Sequence, residues 1–122
     1  MFTKVRAFSS FSVDDIEAAR EFYGGVLGLA VTEENGMLRV AIAGGNPLLV
    51  YPKPDHVPAT YTALNFPVED LAATLDSLAA KGVETIKYSG TDKRGISWDM
   101  GPAIAWFADP AGNIISVIEA SA

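Results

Sequence analysis

The chain writes one stretch twice. Residues 11 to 19 read Phe-Ser-Val-Asp-Asp-Ile-Glu-Ala-Ala, and residues 66 to 74 read Phe-Pro-Val-Glu-Asp-Leu-Ala-Ala-Thr. At a constant offset of 55, Phe11 meets Phe66, Val13 meets Val68, Asp14 meets Glu69, Asp15 meets Asp70, Ile16 meets Leu71 and Ala18 meets Ala73. Both copies read as a strand end running into an acidic helix start. A repeat at this spacing restricts the chain to two copies of one supersecondary unit. With 122 residues, 49% of them apolar, there is chain enough for one domain (1–122) with a sizeable core.

Residues 4 to 13 alternate loosely and predict a strand. Asp14 or Asp15 then caps a helix, with Glu17 in the first turn facing the positive end of the dipole. Ile16, Ala19, Phe22, Tyr23, Val26 and Leu27 recur at helical spacing as one apolar stripe. Gly24-Gly25 weakens the last turns, and Gly28 can stop the helix in a left-handed conformation. A short strand at 30–33 turns through Glu34-Asn35-Gly36 into a strand at 37–43, because Asn-Gly tolerates positive φ at both central positions. Gly44-Gly45-Asn46 turns again into a strand at 47–51. That completes β-α-β-β-β for module one, about residues 4–52. Three prolines forbid regular structure in the linker 53–59 and its flanks. Module two, about residues 60–120, restarts with a strand at 61–68. It continues with a helix on Leu71, Leu75 and Leu78 stopped by Gly82, a strand at 83–88, and a hairpin of 103–108 and 113–118 across Asp109-Pro-Ala-Gly112. The hairpins also match, since Gly45-Asn46 meets Gly112-Asn113 at an offset of 67. The growth in offset from 55 to 67 assigns 12 extra residues to the second copy, within Ser89 to Pro102. A long insertion in one copy of a repeat is a favoured place for function.

Composition narrows the partners. No run approaches the ~18 apolar residues that a membrane span needs, and the opening residues lack the apolar run of a signal peptide. A cytoplasmic protein that meets no membrane is expected. With no cysteine, disulfides and thiolate metal sites are excluded. A net charge of −6 argues against nucleic acid, whose phosphates demand basic patches.

Two stretches carry a resemblance. Residues 11–29, from Phe-Ser-Val-Asp-Asp to Gly-Val-Leu-Gly-Leu, and residues 106–116, Trp-Phe-Ala-Asp-Pro-Ala-Gly-Asn-Ile-Ile-Ser, resemble the opening and closing signatures of the vicinal oxygen chelate superfamily. This is the glyoxalase, bleomycin-resistance and extradiol-dioxygenase group. The resemblance implies an α+β fold of two βαβββ modules in tandem, forming a curled mixed sheet around a cleft with the helices on the convex face. It also implies a homodimer. Metal-using members place His or Glu at four inward-facing strand positions, which fall here on Phe8, Leu49, Ala63 and Ser116. None of these is a good divalent-metal ligand, and the single histidine, His56, lies in the linker. No metal and no cofactor are expected.

Strand alternation then assigns a cleft face. Arg6, Phe8, Ser10, Leu49, Tyr51, Tyr61, Ala63, Asn65, Ile114, Ser116 and Ile118 share it, and Phe11, Val13, Leu48, Val50, Leu64, Phe66, Val68, Ile115 and Val117 face the helices. The ligand-binding candidates are Phe8, Ser10, Leu49, Tyr51, Tyr61, Asn65, Trp98, Met100, Trp106 and Ser116, with no catalytic residue assigned. Asp109 reads as a turn residue, Asp99 as a solvated loop carboxylate and His56 as surface. The expected function is metal-free binding of a small aromatic or cationic molecule, of the sequestration or resistance type. This reading leans away from an enzyme. The alternative is a metal-independent lyase or isomerase on a small polar substrate, with a metal-dependent glyoxalase or dioxygenase ranked last.

Overall fold

The computed structural model describes residues 1–120. Two compact units divide at Val57 and Pro58, inside the expected linker. In the first, Ser10–Val13 (β1) leads into a helix at Ile16–Arg20 (α1), followed by strands at Val31–Glu34 (β2), Met37–Val40 (β3) and Leu48–Pro52 (β4). Asp15 caps α1 by accepting from the backbone N–H groups of Glu17 and Ala18, both at 3.1 Å. The sheet order is β1-β4-β3-β2, with β1 parallel to β4 and the other pairs antiparallel. Asn35 and Gly36 close the β2–β3 hairpin with φ of 55° and 76°, the double positive φ that Asn-Gly serves.

Two expectations for this module change. The helix does not stay α-helical to Gly28. It widens to a π-helix over Glu21–Val26, with Leu27 N–H donating to the Phe22 carbonyl five residues back at 2.9 Å. The wide turn buries both Phe22 and Tyr23, whose rings meet edge to face at 5.2 Å. The first strand is also shorter than residues 4–13. Leu49 N–H donates to the Ser9 carbonyl at 3.0 Å, and the next rung would need an N–H from Pro47, which has none. The Asn46 side chain supplies the donor instead, Nδ2 to the Ala7 carbonyl at 2.7 Å.

The second unit contains β5 (Thr62–Val68), α2 (Leu71–Ala80), β6 (Ile104–Ala108) and β7 (Ile114–Glu119), in sheet order β5-β7-β6. The β5–β7 pair is parallel and the β6–β7 pair antiparallel. Pro67 is tolerated in β5 because β5 is an edge strand. Asp70 caps α2 through Ala73 N–H at 3.0 Å, and Glu119 Oε1 accepts from Leu71 N–H at 3.2 Å. The strand expected at 83–88 is irregular. Ile86 N–H to the Trp106 carbonyl, at 2.8 Å, is the backbone bond that joins it to β6. In module one a two-residue turn zips the corresponding hairpin. Here the insertion separates the two segments, and Ser97 takes the β6 edge at Ile104.

Both modules are α+β, each a mixed sheet with its helix on one face. Val13, Leu38, Val40, Leu48 and Val50 are buried on the side where α1 packs against β3 and β4. Ala105, Phe107, Ile115 and Val117 are buried with Leu71, Leu75 and Leu78 of α2. Among the described residues no helix is long and apolar enough to cross a membrane.

Candidate functional site

In module two the face opposite α2 carries a cavity of about 330 Å³. Trp106 lines it. Its place in β6 sets it opposite Ser116 of β7, and its indole Nε1–H donates to Thr62 Oγ1 at 3.2 Å. Tyr88, from the irregular segment, meets it edge to face at 5.3 Å and 84°. Tyr61 and Ile114 extend the aromatic and aliphatic lining, and Thr60, Thr62, Ser89, Thr91 and Ser97 supply hydroxyls. Among the described residues no Asp, Glu, Lys, Arg or His lines it.

One wall comes from the insertion, whose Ser89, Thr91, Ser97 and Met100 all reach the cavity. Its shape is set by Asp92. Oδ1 accepts from the backbone N–H groups of Arg94 and Ile96, both at 2.9 Å, and Oδ2 accepts from the Trp98 indole Nε1–H at 2.9 Å. These bonds, led by the one from Trp98, hold the Asp92 carboxyl below its ordinary value although it is exposed. Gly95 adopts φ +85° and packs so tightly that a Cβ would lie 2.5 Å from Thr85 Oγ1. The Thr85 hydroxyl donates to the Arg94 carbonyl. The insertion is therefore pinned at both Asp92 and Gly95.

Of the sequence candidates, Tyr61, Met100 and Trp106 come together in this cavity. Trp98 does not line it; it is 60% exposed and held by Asp92. Ser116 is fully buried, its hydroxyl donating to Asn65 Oδ1 at 2.5 Å, and the two stand beside Trp106 in one cross-strand row. Ala63 falls at an irregularity between Thr62 and Leu64, where Thr62 pairs with Ile114 and Leu64 with Ile115. That shift puts Thr62 in register with Ile114, and strand parity alone misses it. Phe8 and Leu49 sit together in module one on a separate hollow of about 190 Å³. Ser10 pairs with Leu49, and Tyr51 pairs with Ser12 on the same face. His56 is less superficial than expected. It is half-buried, with Nδ1 hydrogen-bonded to Ser12 Oγ at 2.6 Å.

The sequence model of the Glyoxalase/Bleomycin resistance protein/Dioxygenase superfamily matches residues 7–117. The chain belongs to that superfamily. Solved structures share its fold. A member from Sphaerobacter thermophilus aligns with a TM-score of 0.74 at 21% identity, covering 98% of this chain and 100% of the other. TnmS3, an antibiotic binding protein from Streptomyces sp. CB03234, aligns with a TM-score of 0.69 at 24% identity over 98% and 99% of the two chains. A glyoxalase/bleomycin resistance protein from the same Streptomyces strain gives 0.65 at 25% identity over 93% and 99%. No curated protein matches the chain.

For this superfamily member, the four positions implied for metal ligands carry Phe8, Leu49, Ala63 and Ser116, which offer one hydroxyl and no imidazole or carboxylate. That hydroxyl is already donated to Asn65. The donor set does not fit a divalent metal. Among the described residues no three His, Asp or Glu side chains gather as a metal site would require. The insertion's hydroxyls escaped sequence reasoning because a loop has no periodicity to assign their direction. The jump in repeat offset was the available signal.

Proposed function

We propose that this superfamily member binds a small, neutral aromatic molecule in the cavity of module two, as a sequestering or resistance protein and without a metal. The observation that carries this is the lining itself, in which aromatic rings, a methionine and hydroxyls surround about 330 Å³ with no charged side chain. Aromatic walls with a few polar handles suit small organic ligands, and the volume matches one or two fused rings. The absence of any lining carboxylate favours an aromatic ligand over a cationic one. The antibiotic-binding role of TnmS3 on the same fold supports the class. A lyase or isomerase would need an acid–base pair, and the titratable groups lining this cavity are the phenols of Tyr61 and Tyr88.

The test is a fluorescence titration in a Trp98→Phe background, so that Trp106 alone reports. The panel is one- and two-ring aromatic compounds bearing hydroxyl or carbonyl groups. Saturable quenching is expected, and Trp106→Ala, followed by calorimetry, should weaken binding about tenfold or more. A panel that leaves Trp106 emission and Tm unchanged, or a Trp106→Ala protein that binds as well, removes the basis of the reading. Added Zn or Ni should leave Tm unchanged.

A further inference from the structure

The hollow of module one is lined by Arg6, Phe8, Arg39, Asn46, Pro47 and Leu49. Its position repeats that of the cavity in module two. Under the two repeat offsets Arg6 corresponds to Tyr61, Arg39 to Trp106 and Pro47 to Ile114, and all three of those counterparts line the second cavity. The fold therefore does not demand a cation at either place, because the same positions in the other module are filled by a tyrosine and a tryptophan.

The charges there are also available. The chain has four arginines within a net charge of −6. Arg20 and Arg94 are held in ion pairs at 2.7 Å with Glu33 and Asp76. Arg6 has no carboxylate within ion-pairing distance among the described residues. Arg39 gives its Nε to Glu34 at 3.0 Å, which leaves its two terminal nitrogens to donate elsewhere. Arg39 stands directly opposite Leu49 in the β3–β4 ladder. The segment carrying Arg6 and Phe8 is tied to the start of β4 by the Asn46 side chain on the Ala7 carbonyl and by Leu49 N–H on the Ser9 carbonyl. Two guanidinium groups thus border a hollow whose remaining wall is Phe8, Pro47, Leu49 and Asn46, whose amide nitrogen is given to the Ala7 carbonyl.

The geometry points to a second binding site, in module one, for a small aromatic carboxylate: the carboxylate between Arg6 and Arg39, the ring on Phe8 and Leu49. Guanidinium groups pair with carboxylates through parallel N–H bonds, and a hollow of about 190 Å³ holds a single ring. This site is lined by residues of module one alone and does not depend on the function proposed for module two.

Benzoate titration followed by calorimetry and by the NMR shifts of the arginine Nε–H groups and the Leu49 methyls tests it. Saturable binding is expected, with benzamide, the neutral isostere, and acetate, which lacks the ring, each at least about tenfold weaker. Arg6→Gln and Arg39→Gln should each weaken benzoate by about tenfold or more, while Lys4→Gln leaves it unchanged. Both arginines are exposed, so folding survives their loss, and unchanged Tm in each variant checks this. Benzamide binding as well as benzoate, inorganic phosphate binding more tightly than benzoate, or Lys4→Gln weakening it as much as Arg39→Gln would each overturn the assignment.

Discussion

Asp109 is a buried carboxylate whose work is structural. Its Oδ1 accepts from the backbone N–H groups of Ala111 and Asn113 at 2.9 and 2.8 Å, and Oδ2 accepts from Asn113 Nδ2 at 3.1 Å. The turn reading needed only its place before Pro110. Removing the carboxylate leaves the N–H of Asn113 without this acceptor in the interior, so Asp109→Ala should lower stability by about 2–4 kcal/mol in denaturant unfolding. Asp109→Asn should recover part of that loss, since an amide oxygen still accepts from the backbone but its nitrogen faces the Asn113 donor. Ser116 shows the opposite limit of residue-scale reading. Strand parity put it on the same face as Leu49 and Asn65; the structure pairs it with Trp106 across the β6–β7 ladder. Its complete burial and its bond to Asn65 depend on what packs over it, which parity does not describe.

At the scale of elements, the insertion matters most. Its presence was legible from the jump in repeat offset, but its shape was not, because the bonds that set it join Asp92 to its own loop and Thr85 to Arg94. The Asp92 carboxyl is held below 3.8, chiefly by the Trp98 indole N–H. A group depressed in the folded chain contributes its stabilisation fully above the ordinary value and loses it as pH falls through the lower folded value. The Trp98 indole N–H resonance should therefore be steady at neutral pH and move only below about pH 4. Asp92→Asn should abolish that titration; a Trp98 resonance that moves equally in Asp92→Asn would show another group to be responsible. The first helix teaches the same lesson. Its stripe and its Gly28 stop, at φ 74°, were readable, whereas the π-helical turn reflects how Phe22 and Tyr23 seat in the core.

At the scale of the whole molecule, the strands with partners on both sides are β3 and β4 in the first unit and β7 in the second. Backbone amides there have the most to lose on opening, so native-state hydrogen exchange should find its slowest amides among residues 38–40, 48–50 and 115–117. Slower exchange in the edge strands β2 or β5 would contradict the sheet order. The superfamily, the two-module layout, the helix-facing residues and the poverty of metal donors were all determined by the sequence alone. Repeats, caps and strand alternation are local patterns, and each local choice agrees with its neighbours. What only the tertiary structure decided is which side chains share a hollow: Thr62, Tyr88 and the insertion hydroxyls with Trp106 in one module, Arg6 with Arg39 in the other. Those meetings arise from a register shift, an irregular strand and a pinned loop, where chain direction is set by contacts distant in sequence and no periodicity remains to read.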